Sequence, residues 1–356
     1  MDDIEEIRGH VLPHYAGWQD ATVTRINSGL INRSFLLTRA GAGDAGPAVR
    51  GVLQGVSKIF SAAIHDNIAA VTARLAEQGL VTPRLLPTNS GALYLDAGEG
   101  GIWRLQSYVD GVAFDVVGGA VQARAAGALV GRFHRALDGF AYNFVSPRAG
   151  VHDTPAHLRR LSDAVAAHAG HRLTAVVRPL ADAIAIGAAA LPPLPALAPR
   201  VCHGDLKFNN ILFAGRQPPD DTRAVCLIDL DTCGPQSLAY ELGDAWRSWC
   251  NRAGEDDVDA RLDLDLFRAS LDGYVAGLGR PLTADERSGL LLGVEWISLE
   301  LAARFAADAL AESYFGWDAT RFPGRGEHNL VRARGQWSLH QALVATRAAR
   351  ARLLAS

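Results

Sequence analysis

Residues 201–234 read VCHGDLKFNNILF, a polar turn, then AVCLIDLDTCG. His203-x-Asp205 is followed, after four intervening residues, by Asn210, and an apolar run leads into Asp229. Residues 211–213 and 224–228 read as short strands, and the Gly-, Pro- and Asp-containing stretch 214–223 as the turn between them. Such a hairpin brings Asn210 and Asp229 to one end, with Asp205 facing both. A carboxamide oxygen and a carboxylate suit Mg2+, which takes hard oxygen ligands and usually only one or two carboxylates beside phosphate. The chemistry open to this set is phosphoryl transfer. Asp205 orients an attacking hydroxyl and accepts its proton; the transition state is loose, so positioning matters more than strong basicity. His203 is a second catalytic candidate, read as a hydrogen-bonding residue that shapes the loop rather than as a base. Lys207 either neutralises the γ-phosphate or is a solvated lysine. Asp231 either joins Asp229 on the metal or bonds the loop backbone as a turn residue.

The elements that must position these groups fall into two kinds. Residues 21–26 and 34–38 alternate like strands, Asn27-Ser28-Gly29 supplies turn chemistry between them, and residues 49–54 form a third strand. Residues 62–78 have helical spacing, with Ile64, Ile68, Val71 and Leu75 on one face and Gly79 as the stop. Residues 92–95 and 102–109 form a hairpin around Gly98–Gly101. This is a small antiparallel sheet with one helix. After Asp110-Gly111, Ala/Leu-rich helices dominate over 120–137, 157–169, 175–191, 262–277, 284–310 and 330–353, and the proline-rich 191–199 connects into the 200–231 island. The pattern predicts an α+β chain with its boundary near Tyr108 to Gly111.

Length and composition narrow the classes. The 356 residues suit about two domains or two lobes. Hydrophobic residues are 49% and charged residues 21%, which excludes a disordered or coiled-coil chain. A net charge of −3 gives no basic nucleic-acid footprint. The acidic N-terminal MDDIEEIRGH lacks the pattern of a signal peptide, and no apolar run reaches about 18 residues, so no membrane partner is expected. Cys202, Cys226, Cys233 and Cys250 form no C-x-x-C pair and are read as reduced structural thiols of a cytoplasmic protein.

With H-G-D-x-x-x-x-N and I-D-x-D at this spacing, the chain resembles the aminoglycoside phosphotransferase and choline kinase-like family, a branch of the protein-kinase-like fold. The resemblance implies a two-lobed fold: a small antiparallel-sheet N-lobe over 1–108, and a larger helical C-lobe over 109–356 with the catalytic loop, metal site and acceptor site. It implies ATP at the hinge, Asp205 as base, and Asn210 and Asp229 as Mg2+ ligands. Residues 29–35, GLINRSF, resemble the family's phosphate loop, which makes Ser28, Gly29, Asn32 and Ser34 nucleotide-binding candidates. A glycine there lets backbone N–H groups approach phosphate oxygens. Gln106 to Val109, with Tyr108, would be the hinge, and His134 a packed structural histidine on the helix that follows. One departure stands out. The third strand should carry a lysine to the α/β-phosphates, but it reads Gly51-Val52-Leu53-Gln54-Gly55; Arg50 and Gln54 are the candidates, with Lys58 just outside.

A narrower resemblance runs through Phe208-Asn209-Asn210, residues 242–247 (LGDAWR), residues 299–305 (LELAARF), Tyr314-Phe315 and residues 328–334 (HNLVRAR). These segments look like N-acetylhexosamine 1-kinases, which phosphorylate an anomeric hydroxyl. The resemblance implies a sugar kinase with acceptor-site candidates Asp205, Asp231, Asp244, Arg247, Arg304 and Tyr314, and with Trp246 and Trp249 available to stack on a pyranose. On a helix, Asp244 with Arg247 and Glu300 with Arg304 also have the spacing to pair with each other. Trp296 and Trp317 are read as core, and His328 as a capping or surface residue. The acidic runs at 255–257 and 263–265 are read as solvated helix faces. The rival acceptors are aminoglycosides, choline or ethanolamine, and homoserine. The rival class is a silent nucleotide-binding module, whose support is the missing lysine. Oligomeric state is not legible.

Overall fold

The computed structural model describes residues 3–26, 32–41, 47–146 and 152–355. The chain divides into two compact units. One runs to Asp110 and takes in the segment beginning at Gly139; the other holds Gly111–Asp138 and the remaining residues.

The first unit is built on an antiparallel sheet of β1 (Thr22–Ile26), β2 (Arg33–Arg39), β3 (Val49–Val56) and β6 (Ile102–Ser107), with the short β4 (Leu85–Leu86) and β5 (Leu95–Asp96) on β6. Strand alternation sorts the residues between two faces. Phe35, Leu53 and Leu105 align across β2, β3 and β6 and are fully buried. They pack beneath helical turns near the N-terminus, α1 (Asp3–Glu6) and the turns after it, which contribute Ile7, Val11, Leu12 and Tyr15 to the same cluster. The acidic composition hid these turns from the sequence reading. Helix α2 (Ile64–Glu77) matches the 62–78 expectation and buries Ile64, Ile68, Val71 and Leu75.

The second unit is helical: α3 (Ala120–Ala136), α4 (Thr154–Ala167), α5 (Thr174–Ala190), α6 (Leu238–Trp249), α7 (Leu264–Leu278), α8 (Ala284–Ala311) and α9 (Arg325–Ala355). A strand-rich island, β7 (Arg200–Cys202), β8 (Ile211–Phe213), β9 (Ala224–Leu227) and β10 (Gly234–Gln236), lies between α5 and α6. β8 pairs with β9 as expected; the β7–β10 pair, which closes the island, was not anticipated. The fold is thus α+β, an antiparallel sheet followed by helices.

Two helix crossings depend on glycine. Gly127 and Gly131 of α3 face Gly273 and Gly277 of α7 so closely that a Cβ on Gly131 would lie 2.3 Å from the Tyr274 carbonyl oxygen. Gly243 of α6 meets Gly293 of α8, where a Cβ on Gly293 would lie 2.0 Å from the Ala239 oxygen. Backbone cannot yield as a side-chain tip can, so these contacts fix the helix spacing. Gly131→Ala should lower the melting temperature by about 3–10 °C. Gly170→Ala, where nothing lies within 4 Å, should leave it nearly unchanged. Thermal unfolding of both variants checks this; equal melting temperatures would contradict it.

Candidate active site

The site is organised on the loop that leaves β7. His203 is fully buried, and Gly204 has φ +83°, where a side chain is strained and a Cβ would meet the Thr232 oxygen at 2.6 Å. From the first turn of α6, Glu241 accepts the backbone N–H of His203 (2.7 Å) and of Gly204 (2.9 Å), and bonds His134 Nε2 at 3.3 Å. Burial works to raise the Glu241 pKa; the bond to His134 and the backbone donor outweigh it, and the carboxylate is held below its ordinary value. The His203 ring is committed on both sides. Nδ1 accepts from the Asp205 N–H at 3.3 Å, and Nε2 donates to the Ile228 carbonyl at 2.8 Å. This matches the loop-shaping role and leaves no ring nitrogen for catalysis.

Asp205 follows with its carboxylate on Lys207 Nζ at 3.1 Å. Asn210 Nδ2 donates to the Asp205 carbonyl at 2.8 Å and lies 3.4 Å from its carboxylate. With its amide NH2 so used, Asn210 has its Oδ1 as the atom to ligate a cation. The Ile228 N–H donates to the Asn210 carbonyl at 3.0 Å, next to Asp229 in the chain. Asp229 is exposed and adopts φ 65°, ψ 58°, the left-handed region, which costs a non-glycine residue about 1–2 kcal/mol. Asp231 is 5% exposed, so Asp229 is the more accessible carboxylate. An amide oxygen beside an exposed carboxylate is a donor set that fits Mg2+. Lys207 is held more basic than usual: burial opposes the charge, but Asp205 and Asp244 outweigh it.

Asp244 and Arg247 lie one and two turns beyond Glu241 on α6. Arg247 binds Asp244 at 2.6 Å and Glu255 at 3.2 Å. Burial would raise the Asp244 pKa, and Arg247 more than reverses this. Glu300 of α8 is fully buried, accepts from Thr154 Oγ1 at 2.7 Å and His152 Nδ1 at 3.2 Å, and lies 3.9 Å from Arg304. His152 stacks on Tyr240 with ring centroids 4.6 Å apart. Tyr314 is exposed and packs edge-on against Phe315.

Several expectations are corrected. Trp246 and Trp249 are buried and offer no face to a sugar. Trp246 donates to Ser270, and Trp249 donates to the Leu206 carbonyl at 2.7 Å, anchoring the loop that carries Asp205. His328 is buried and binds Asp256 at 2.9 Å. Glu255 and Asp256 are not on a solvated helix face: they lie in a turn region and bind Arg247, Arg321, His328 and Arg332. Asp263 caps the N-terminus of α7.

In the first unit, Asn32 Oδ1 accepts the Ser57 N–H at 2.9 Å, and Gln54 Nε2 donates to Ser34 Oγ at 3.1 Å. Gln106 pairs across strands with Val52. The Tyr108 ring lies under Arg50, which also binds Asp110. Ser28 and Gly29 lie outside the described residues. Two residues were missed by sequence reasoning. Glu241 sits in the YELGD stretch with no motif around it. Arg104 is a buried arginine on β6; a charged residue within a strand otherwise reading as apolar was its one signal. The His134, Cys202 and Glu241 side chains lie close together, but the Glu241 carboxylate is occupied by backbone amides and His134 Nδ1 by Tyr274 at 3.0 Å.

A model described as the phosphotransferase enzyme family matches residues 22–278. Among solved structures, a microcompartment-associated aminopropanol kinase is similar with TM-score 0.64 and 17% identity, over 97% of this chain and 98% of that one. An amicoumacin kinase in complex with AMP-PNP, Ca2+ and Ami gives 0.61 and 13%, over 94% and 92%. An aminoglycoside phosphotransferase from Alicyclobacillus acidocaldarius gives 0.57 and 18%, over 95% of each chain. At these identities the likeness shows the fold. Among the described residues, no helix is long and apolar enough to cross a membrane.

The buried His134–Glu241 pair sets a pH dependence. Burial lowers the His134 pKa below 6.5, so as pH falls below about 6.5 the unfolded chain takes a proton that the folded one refuses. Glu241, held below 4.5, adds stability that is full above 4.5 and lost as pH falls through its folded value. The melting temperature should therefore plateau above about pH 7 and fall on acidification. Glu241→Gln should lower it further at pH 7 and reduce turnover. A melting temperature that rises between pH 7 and 5 would contradict the assignment.

Proposed function

The chain belongs to the phosphotransferase enzyme family, and within it we propose an ATP- and Mg2+-dependent kinase acting on a hydroxyl of a neutral sugar, the anomeric hydroxyl of an N-acetylhexosamine or related hexose. The observation that carries the acceptor class is charge pairing. Three of the carboxylates assigned to the acceptor side have basic partners: Asp205 has Lys207, Asp244 has Arg247, and Glu300 has Arg304 and His152. A polycationic acceptor is matched by a surplus of negative charge. A neutral polyol needs alternating donors and acceptors, and these pairs supply them.

In this reading the acceptor hydroxyl bonds Asp205, which aligns it and takes its proton as the O–P bond forms; the γ-phosphoryl leaves its bond to ADP. Lys207 sits on Asp205 and draws the transferring phosphoryl oxygens toward the same point. Asn210 and Asp229 would hold Mg2+, which when bound neutralises phosphate charge. Asp244 stays ionised beside Arg247 and accepts from sugar hydroxyls, with Arg304 donating. Asn32, Ser34, Gln106 and Tyr108 are assigned to the nucleotide, the 1–108 segment to its binding, and the remainder to catalysis and the acceptor. Asp231, buried, supports the loop. The amine-bearing acceptors named for the similar structures favour a second reading, an amino alcohol or aminoglycoside, in which Asp244 would meet the ammonium.

The test is a pooled acceptor panel with Mg-ATP, read by mass spectrometry: GlcNAc, GalNAc, glucose, galactose, kanamycin, choline, aminopropanol and homoserine. A non-reducing sugar monophosphate is expected. Phosphorylation of an amine acceptor alone overturns the sugar reading and leaves the kinase. Asp205→Asn should lower kcat by about 10²–10⁴-fold while ATP affinity is kept; wild-type turnover in that variant would remove Asp205 as base.

A further inference from the structure

We infer that the turn leaving α8 is a rigid aromatic platform that presents Trp317 to the ring face of the sugar, as an acceptor-binding side chain; this rests on the sugar reading above. Among the described residues, the large hydrophobic side chains most open to water are valines, isoleucines and two aromatics, Tyr314 at 58% and Trp317 at 36% exposed. Trp317 was expected in the core and stands at the surface instead. Single exposed apolar residues are ordinary, but two large rings three residues apart in one turn mark a surface that something covers in use. The turn is also held in place. α8 ends at Ala311, and Glu312 redirects the chain with φ 48°, ψ 40°. Asp308 of α8 is buried, and its carboxylate accepts the backbone N–H groups of Ser313 (2.9 Å), Tyr314 (2.8 Å) and Phe315 (2.9 Å), together with Asn329 Nδ2 (2.8 Å). The Gly316 carbonyl accepts from Arg332 Nη1 at 2.8 Å, and the Asp318 N–H donates to His328 Nδ1 at 3.1 Å. On both sides of Trp317 the backbone is therefore fixed by side chains of α8 and α9. An aromatic side chain on a pre-ordered backbone loses little further freedom when it binds.

The same turn is continuous with the proposed acceptor groups. Arg332, which holds Gly316, lies 3.8 Å from Glu255; Glu255 binds Arg247 at 3.2 Å, and Arg247 binds Asp244 at 2.6 Å. By a second route, Arg304 lies over the Phe315 ring at 5.5 Å and 3.9 Å from Glu300, which bonds His152 at 3.2 Å. Both routes lead from the turn to side chains that the sugar reading sets against hydroxyls. A pyranose carries hydroxyls around its edge and C–H bonds on its faces. Polar groups beside an open aromatic ring match both parts at once. The neighbouring rings are already used by cations: Arg304 lies over Phe315 and Arg332 over Phe305. An ammonium ligand at this turn would approach beside two guanidinium groups, which favours an uncharged ring.

Binding of GlcNAc, GalNAc, glucose and galactose to the full-length chain, measured by calorimetry, and their phosphorylation with Mg-ATP test this. For the sugars that the wild type binds, Trp317→Ala should weaken affinity by about tenfold or more. The acceptor KM should rise by a similar factor, more than kcat falls, while the KM for ATP stays within about twofold. Trp317→Phe should recover most of the loss. The side chain is exposed, so the melting temperature of both variants should stay within about 2 °C of the wild type. Asp308→Asn sets an NH2 group against the N–H groups of the turn and should weaken the sugar likewise. Adding Trp317→Ala to it should cost little more, because both changes remove one contact. If Asp308→Asn does not fold, the Trp317 variants decide alone. Sugar affinity unchanged in Trp317→Ala, or equal rises in the KM for sugar and for ATP, overturns the inference and leaves the sugar reading. A wild-type chain that neither binds nor phosphorylates any of the four sugars overturns the sugar reading itself, which is a separate result.

Discussion

The buried carboxylate of Glu241 is the contact on which the candidate site depends. The loop that carries Asp205 begins in a fully buried residue, His203, whose backbone N–H has no route to water. An orphaned buried donor costs about 1–3 kcal/mol, and an orphaned buried carboxylate considerably more. Glu241 resolves both by taking the N–H groups of His203 and Gly204 together with His134. Its place in the first turn of α6 helps, because the helix dipole favours negative charge there. Once those two N–H groups are pinned, the direction in which the chain leaves Gly204 is set, and so is Asp205. The position of α6 is set in turn by the Gly243–Gly293 contact with α8, so a glycine far from the chemistry governs where the proposed base stands.

The same helix joins the loop to the proposed acceptor groups. Glu241, Asp244 and Arg247 recur every three residues along α6, and Arg247 binds Asp244. Lys207 is influenced by both Asp205 and Asp244, and Asp244 by His152, which leads to Glu300. The proposed base and the proposed acceptor groups are therefore not independent parts, because their charges are coupled through Lys207, Asp244 and His152.

How much of this could be read from sequence follows from which contacts are local. His203, Asp205, Asn210 and Asp229 were legible because a short hairpin brings them together within thirty residues, and loop and strand signals are strong there. The sheet and most helices were legible from periodicity. Glu241 was not, since its partners lie 37, 38 and 107 residues away and nothing near it in sequence marks a buried anion. Trp246 and Trp249 were misread for a related reason: residue type suggests stacking on a sugar, but burial decided otherwise. The N-terminal turns were missed because their apolar residues alternate with acidic ones on a helix of only four residues and its extensions. The β7–β10 pair joins residues more than thirty apart with no alternation to announce it.

The missing lysine shows the limit of reading a site strand by strand. A sheet presents its chemistry by rows that run across strands, because neighbouring residues on one face are closer than successive ones along a strand. A cation needed at one point of a face can come from the strand that carries the motif or from the strand beside it. The sequence places a glutamine at the motif position, which on its own argues for a weakened nucleotide site. The register places that glutamine against Arg104, and its Oε1 accepts from both Nε and Nη2 of that guanidinium. Gln54 is tied to a buried arginine of the next strand, and a motif position taken alone does not show which strand supplies the charge in its row.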